Sequence, residues 1–203
     1  MIGTVVVPLD GSELAEQALP FARGIARRTN TPLHLVSVLA ADAAPDTENR
    51  TRDYLREQMK DLSDRVQISI RRGNAAEEII KAAEEVPQPL IVMTTHGRSG
   101  VGRWVYGSVA DRVVRGTGVP VLLVRSGTMR IEAPEATVQS IVLSLDGSTY
   151  AEAAIPYAAE LAQAFGATIH IVRVAETAQI YGMLSREPLA PAAADTLNEL
   201  GEQ

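Results

Sequence analysis

The stretch LIVMTTHGRSGVGRWVYGSVADRVVRGTGVPVLLVR, residues 90–125, decides the fold. It opens with the unbroken apolar run Leu90-Ile91-Val92-Met93, which is typical of a strand buried on both faces. A polar, glycine-containing loop follows, then a helix that begins near Gly107-Ser108, and then a second apolar strand from Val119 to Val124. A loop between the carboxyl end of a strand and the amino end of a helix offers free backbone N–H groups to an anion. The stretch therefore predicts a phosphate-binding loop.

The residues before this stretch alternate between strand and helix patterns. Apolar strands are predicted over 3–9, 33–39 and 67–70, and a helix is predicted after each of them. The second and third of these helices are predicted over 51–66 and 75–85, and the segment over 40–48 is predicted to be irregular. This alternation predicts an α/β fold: a doubly wound, Rossmann-like parallel sheet of five strands in the order 3-2-1-4-5. Ligands of such sheets bind where the strand order reverses, here between strands 1 and 4. Asp10 ends strand 1 and Thr94 begins the loop after strand 4, so we expect them to converge.

Composition limits the function. The 203 residues are 46% hydrophobic, enough for a packed core, and the net charge of −6 argues against nucleic acid as a partner. The absence of cysteine excludes disulfides, thiol catalysis and thiolate metal sites, and is compatible with a reducing cytoplasm. No apolar run approaches the ~20 residues of a membrane span, and the amino-terminal residues do not form a signal peptide pattern. We expect a cytoplasmic protein with no membrane partner.

Residues 141–176 repeat residues 5–40 at a constant offset of 136, without a gap, and 14 of the 36 positions are identical. A repeat of this length predicts a tandem duplication. The matching positions that bear on function are Asp10-Gly11-Ser12 with Asp146-Gly147-Ser148, His34 with His170, and Val38 with Val174. We predict a complete domain over 1–126, a linker over 127–138 and a partial second copy over 139–203.

The second copy is incomplete. Gln203 corresponds to position 203 − 136 = 67 of the first copy, so the second copy holds a βαβα pattern and lacks strands 3–5 and the phosphate loop. Two parallel strands cannot bury a doubly wound core, and bare apolar edges promote aggregation. We expect the half-domain to dock on the first domain or on a second chain, or the 203 residues to belong to a longer protein.

The loop spacing, with Asp10 after the first strand, gives a specific resemblance. The chain resembles the universal stress protein family, whose ATP-binding subgroup carries the motif G-x-x-G-x9-G-[S/T]. Gly97 matches the second glycine, Gly107 the third and Ser108 the hydroxyl residue, while Thr94 stands at the first glycine and adds a side chain beside the ligand. The motif lies in the expected strand–loop–helix setting, and the resemblance covers nearly the whole chain apart from linker and tail.

The resemblance implies that ATP binds, accompanied by Mg²⁺, and it implies the following contacts. The adenosine would be held by Asp10 and the backbone of Val38, above a floor near the ribose formed by Met93 and Thr94. The triphosphate would be surrounded by backbone N–H groups and one hydroxyl, from Gly97, Arg98, Gly107, Ser108 and Val109. Glycine permits close approach of the backbone to phosphate, and the arginine adds charge that the acidic chain otherwise lacks.

These residues also have interpretations that need no ligand. Ser108 with Asp111 fits the S-x-x-D helix cap, and Asp10 with Glu13 would likewise cap the first helix. The recurrence of Asp10 as Asp146 indicates a role in the fold as much as in binding.

Other polar residues are interpreted as structural. His34 and His170 are repeat partners in strands, and His96 is interpreted as a solvated loop residue rather than a catalytic one. The pairs Arg27-Arg28 and Arg71-Arg72 are interpreted as solvated surface.

Three functions follow, and the resemblance favours the first. The chain would bind ATP in stress response or signalling, with bound nucleotide biasing assembly or partner contacts. The first alternative is a slow ATPase or adenine-nucleotide hydrolase, but the sequence offers no obvious general base, no paired carboxylates at the loop and no Walker lysine, so we assign no catalytic residue. The second alternative is an interaction module without nucleotide, favoured by Thr94 and opposed by Gly97 and Gly107.

The strand from Val119 to Val124 lies at the edge of the predicted sheet. In the family that the chain resembles, this strand pairs between domains of a homodimer or between tandem copies. The second copy has no fifth strand, so we expect a homodimer through this edge. Because nothing in the second copy reproduces residues 97–108, we expect one competent nucleotide site per chain.

Overall fold

The computed structural model describes residues 1–60, 65–95, 107–125 and 135–173. Five strands form the main sheet, all paired in parallel, in the order β3-β2-β1-β4-β5. They are β1 (Thr4–Pro8), β2 (Leu33–Leu39), β3 (Val66–Arg72), β4 (Pro89–Thr94) and β5 (Val121–Val124). The predicted α/β class and strand order are confirmed.

Helices cover both faces of this sheet, and a smaller parallel sheet follows it in the chain. The helices of the first part are α1 (Glu13–Glu16), α2 (Leu19–Thr29), α3 (Pro45–Glu57), α4 (Ala75–Glu84) and α5 (Ser108–Gly116). The second part contains β6 (Ser140–Ser144), α6 (Thr149–Glu152), α7 (Ile155–Phe165) and β7 (Thr168–Val172), with β6 and β7 paired. No helix in the described ranges is long and apolar enough to cross a membrane.

The core explains why the inner strands are unbroken apolar runs. Val5 and Val7 of β1 pack with Leu35, Ile25 and Leu55 on the face covered by α2 and α3. Val6 points to the opposite face and packs with residues of α4 and α5, namely Ala76, Ile79, Ala83, Ala110 and Val113. A strand that is buried on both faces gains nothing from a polar residue at alternate positions.

Two predicted helices differ from the structure in their amino-terminal part, and both differences involve proline. The helix predicted over 51–66 also extends too far, because α3 ends at Glu57 and Val66 begins β3. The segment over 40–48 was predicted to be irregular and the helix to begin at Thr51, but α3 begins at Pro45 and ends at Glu57. Proline fits the first turn of a helix, where its missing N–H has no acceptor to lose. The ion pairs Asp46–Arg50 and Glu48–Arg52 span one turn and support this early start. The first predicted helix is likewise split into α1 and α2 ahead of Pro20.

The end of the linker and the described part of the second repeat pack on α2 of the first repeat. Tyr157, Leu161 and Phe165 of α7 contact the main core beside Phe21. The polar contacts lie around this apolar centre. Both carboxylate oxygens of Glu160 accept from the backbone N–H of Ile2 (2.9 and 2.8 Å). Glu135 pairs with Arg27 (2.7 Å), and the N–H of Ala136 donates to the carbonyl of Pro20 (2.8 Å). The guanidinium of Arg28 lies 5.0 Å from the ring centre of Phe165. Of the alternatives raised by the sequence, the structure shows docking within the chain. Arg27 pairs with the linker and Arg28 contacts α7, so the two arginines do not face solvent alone.

The two repeats differ on the sheet face that lies opposite α7. Val6 and Val36 are fully buried beneath α4 and α5, whereas their repeat partners Val142 and Val172 are 68% and 48% exposed. His34 is buried and His170 is exposed. Within the described residues, the second repeat has no counterpart of α4 or α5, and this accounts for the difference.

Candidate functional site

The aspartate at the end of β1 is held by a tight turn. The carboxylate oxygen Oδ1 of Asp10 accepts from the backbone N–H of Ser12 (3.0 Å) and from its hydroxyl (2.6 Å). Ser12 in turn accepts from the N–H of Ala15, so Ser12 and not Asp10 is the cap of α1. Gly11 between them has φ 79°, a left-handed conformation that favours glycine. The turn fixes the Asp10 carboxylate at the carboxyl edge of the sheet.

The start of α5 is fastened to the end of β4. The N–H of Gly107 donates to the carbonyl of Thr95 (2.6 Å), and the N–H of Thr95 donates to the carbonyl of Val124 on β5 (2.9 Å). Gly107 is the N-cap of α5 and makes no side-chain cap bond. The first intrahelical donor is the N–H of Asp111, so the N–H groups of the first turn before it have no acceptor inside the helix. This nine-residue helix therefore presents its positive end at the carboxyl edge of the sheet.

The S-x-x-D interpretation of Ser108 is wrong. Ser108 is the first helical residue rather than the N-cap, and it is exposed. Asp111, which the cap would need, instead accepts from Nε of Arg115 at 2.9 Å, one turn along the helix. The hydroxyl of Ser108 is therefore not used in capping α5.

A cavity of about 260 Å³ lies where these elements meet. Its polar groups come from the end of β1 and from the junction of β4 with α5. The apolar lining comes mainly from the ends of β1, β2 and β4 and the first turns of α4 and α5. The lining residues are Pro8, Leu9, Asp10, Ala15, Val36, Val38, Ala75, Ile79, Met93, Thr94, Thr95, Gly107, Ser108, Val109 and Ala110.

The structure brings together seven of the nine predicted contact residues. Those that line the cavity are Asp10, Val38, Met93, Thr94, Gly107, Ser108 and Val109. Gly97 and Arg98 lie outside the described residues, as does His96. Asp10 and Ser108, which are 98 positions apart in sequence (108 − 10 = 98), border one cavity because both lie at the carboxyl edge of the sheet. Their contact with a ligand stays a prediction.

One wall of the cavity was not predicted. Ala75 and Ile79 of α4 line it, and Ile79 also belongs to the core beneath α4. Asn74 is the N-cap of α4, and its Oδ1 accepts from the N–H groups of Ala76 (3.1 Å) and Glu77 (3.4 Å). An Asn cap directly after Gly73 was the available sequence signal, because it fixes the start of α4 at the same edge of the sheet.

Of the site features of the first repeat, the described residues of the second repeat reproduce the aspartate turn. Oδ1 of Asp146 accepts from the N–H of Ser148 (2.8 Å), and Gly147 has φ 86°. The hydrogen bonds from the Ser148 hydroxyl and backbone lower the pKa of Asp146, and the charge of Arg173 adds to the effect. Val174, the partner of Val38, lies outside the described residues. The aspartate turn is therefore a property of the repeat, and the cavity is described only in the first copy.

The family model for the universal stress protein family matches residues 1–125 and 137–202. The chain belongs to the universal stress protein family. Each matched segment contains one of the repeats, so the family model matches the partial copy as well as the complete one.

Individual relatives are distant in sequence. A universal stress protein of Methanocaldococcus jannaschii is 26% identical over 137 residues, which cover 60% of this chain and 81% of that protein. A universal stress protein of Mycobacterium tuberculosis is 26% identical over 175 residues, covering 79% of this chain and 61% of the relative. The structure of a universal stress protein from Archaeoglobus fulgidus aligns with a TM-score of 0.63 at 20% identity, over 90% of this chain and 71% of that one. The chain thus spans about two thirds of its longer relatives.

Proposed function

We propose that this chain binds an adenine nucleotide, ATP accompanied by Mg²⁺, in the cavity between β1, β4 and α5. The observation that carries the proposal is the convergence of the Asp10 carboxylate with the free amino end of α5 around one cavity. A carboxylate suits the hydroxyl groups of a ribose, and a helix amino end suits phosphate. The apolar side chains of Val36, Val38 and Ile79 suit a base.

The residues present fit the expected nucleotide. Asp10 and Val38 would hold the adenosine part, and Met93 and Thr94 would lie near the ribose. The N–H groups at the start of α5 and the hydroxyl of Ser108, which is not used in capping, would meet the phosphates. Gly97 and Arg98 are proposed to complete the phosphate contacts.

Mg²⁺ would reach the site with the nucleotide. In the ranges that the structure describes, no group of three His, Cys, Asp or Glu side chains is placed to hold a metal ion. Mg²⁺ prefers substrate phosphates and water to a cage of protein ligands, and it would neutralise part of the phosphate charge in this acidic chain.

We propose binding rather than rapid hydrolysis. Among the described residues that line the cavity, Asp10 is the one carboxylate, and none is a histidine or a lysine. Oδ1 of Asp10 already accepts from the backbone N–H and the hydroxyl of Ser12. When the chain is incubated with ATP and Mg²⁺ for hours, we expect it to release no more phosphate than a blank without protein.

A cyclic nucleotide is the second candidate ligand. A solved universal stress protein in complex with cAMP aligns with a TM-score of 0.50 at 22% identity, and it covers 62% of this chain. The shared chemistry is adenosine with phosphate. Parallel equilibrium dialysis of ATP, cAMP and GTP against the chain separates the candidates: we expect retention of ATP, and retention of cAMP alone would reassign the ligand. Retention of none at millimolar concentration would refute nucleotide binding.

We further propose that nucleotide binding biases self-association through β5 in stress response or signalling. Val121, Leu122 and Leu123 are partly exposed on this edge strand, and β5 pairs only with β4 among the described strands. An apolar parallel edge is a template for pairing with another chain. Sedimentation velocity of the wild type and of the double variant Val121→Asp, Leu123→Asp tests this proposal. An unchanged sedimentation coefficient would contradict the β5 interface.

A further inference from the structure

Arg71 ties the edge strand β3 to helix α4. Its side chain is 18% exposed, although the sequence suggested a solvated pair with Arg72. The guanidinium donates to both carboxylate oxygens of Glu85, with Nη1 3.0 Å from Oε1 and Nη2 bonded to Oε2. Nη1 also lies 3.7 Å from Oε2 of Glu78. Glu78 and Glu85 are two helical turns apart, so one guanidinium binds α4 at two points along the helix axis.

The contacts of Arg71 with Glu78 and Glu85, which we call the clamp, lie next to the cavity. Arg71 is the register partner of Val38 on the neighbouring strand β2, and partners in a parallel ladder share a sheet face. Val38 lines the cavity. On α4, Glu78 lies between Ala75 and Ile79, which both line the cavity. The clamp therefore ties α4, which forms one wall of the cavity, to β3, the strand beside the β2 wall.

The surroundings of Arg71 show that its position is specified by the fold. Nε of Arg71 and Nδ1 of His34 are both buried without a hydrogen-bond partner among the described residues. His34 lies on β2 and is bonded through Nε2 to Ser69 of β3 (2.9 Å). Leaving two buried nitrogens without a hydrogen bond costs stability, so other contacts of these side chains must offset the cost. For Arg71, those contacts are its bonds to Glu78 and Glu85.

We propose that Arg71 is a positioning residue of the nucleotide site, which fixes α4 against β3 beside Val38 of β2 and so sets the width of the adenosine end of the cavity. The proposal rests on the proposed function. Lysine is not equivalent to arginine here, because an ammonium cannot bridge one carboxylate with two parallel bonds while also reaching a second.

The test compares Arg71→Gln and Arg71→Lys with the control Arg65→Gln. Arg65 precedes the same strand, at the amino end of β3, whereas the cavity lies at the carboxyl edge of the sheet. Its Nη1 donates to the carbonyl oxygen (3.1 Å) and to Oδ1 (2.8 Å) of Asn30. Dissociation constants for adenosine and for ATP are measured well below the melting temperature of each variant, with amide hydrogen exchange of residues 75–84 measured in parallel.

We expect Arg71→Gln to weaken adenosine and ATP to the same extent, by about tenfold, as when a supporting partner of a metal ligand is removed in other sites. Exchange over 75–84 should accelerate, and Arg71→Lys should recover part of the affinity. Arg65→Gln should change either constant by less than about twofold. A lower melting temperature with unchanged affinities would overturn the inference and leave the proposed function standing. A loss confined to ATP would also overturn it, and a wild type that binds no nucleotide would overturn the proposed function and the inference together.

Discussion

Asp10 and Asp146 form a matched pair that separates ligand binding from folding. Both carboxylates accept from the backbone N–H of a serine two residues later, at 3.0 Å for Asp10 and 2.8 Å for Asp146, and both turns contain a left-handed glycine. Only Asp10 lines the cavity that the structure describes. Asp10→Ala and Asp146→Ala should therefore both loosen a turn, but only Asp10→Ala should weaken nucleotide binding.

The size of the effect follows from the bond that would be lost. A hydrogen bond to a charged group contributes about 1.5–3 kcal/mol, which corresponds to an affinity loss of about 10- to 150-fold for ATP. Asp10→Asn should retain the turn, since an asparagine oxygen also accepts in such turns, and should lose less affinity. Calorimetric titration of ATP with Mg²⁺ into the four proteins measures this series, and thermal unfolding measures the loss of stability. Equal affinities for Asp10→Ala, Asp146→Ala and the wild type would refute the assignment of Asp10 to the ligand.

Three further predictions follow from other contacts. Ser108→Ala should weaken ATP by about 10-fold, the lower end for a hydrogen bond to a charged group, because the phosphate is an anion. The affinity for adenosine should not change, and equal losses for both ligands in dialysis would contradict a phosphate contact. Burial lowers the pKa of His34, and the charge of Arg71 lowers it further while Glu85 opposes this; the unfolded imidazole therefore takes up a proton first, so the free energy of unfolding should fall as pH drops below about 6.5. Urea unfolding from pH 7.5 to 5 should show this slope in the wild type and in the exposed-site control His170→Gln but a flatter one in His34→Gln, and three identical slopes would exclude His34 as its source. A Cβ on Gly24 would lie 2.7 Å from the carbonyl oxygen of Ala136, so Gly24→Ala should cost about 1–3 kcal/mol of stability, whereas Gly118→Ala, with open space around it, should not; a Gly24→Ala melting temperature at or above that of the wild type would show that the linker shifts freely.

The strand order was predictable because it depends on local patterns and a general rule of chirality. Each inner strand is an unbroken apolar run, and each is followed by a helical pattern, so right-handed crossovers leave few topologies. The convergence of Asp10 with Thr94 follows from the same reasoning, since it needs only the strand order and the edge at which each residue lies, whereas Ser108 was assigned to the site by the family motif. These residues were therefore placed together without any contact information.

Arg71 was misinterpreted because its environment is tertiary. Two adjacent arginines at the end of a short strand usually face solvent, and the spacing of Glu78 and Glu85 on α4 becomes meaningful only when α4 is laid across β3. The place of Ile79 in the cavity wall is tertiary for the same reason: an apolar residue on the inner face of α4 faces the core or the cavity depending on its distance from the edge of the sheet. Helical periodicity identifies the face of a residue but not its position along the helix axis relative to the sheet.

The docking of α7 on α2 was also beyond the sequence, although the repeat contained the relevant difference. Gly24 and Glu160 occupy the same repeat position (24 + 136 = 160). The glycine makes room for the backbone at Ala136, and the glutamate binds the backbone N–H of Ile2. The same repeat position therefore makes different contacts in the two copies, and these contacts can be recognised only when the packing of the linker and of α7 is known.

Native mass spectrometry of the intact chain in the presence of ATP and Mg²⁺ tests nucleotide binding most directly. Because the structure describes the cavity in the first repeat and only the aspartate turn in the second, we predict a mass increase of one nucleotide per chain that is lost in Asp10→Ala and retained in Asp146→Ala. A chain that carries no adenine nucleotide at millimolar ATP, or one that loses it equally in both variants, would contradict a single site built on Asp10 and the start of α5.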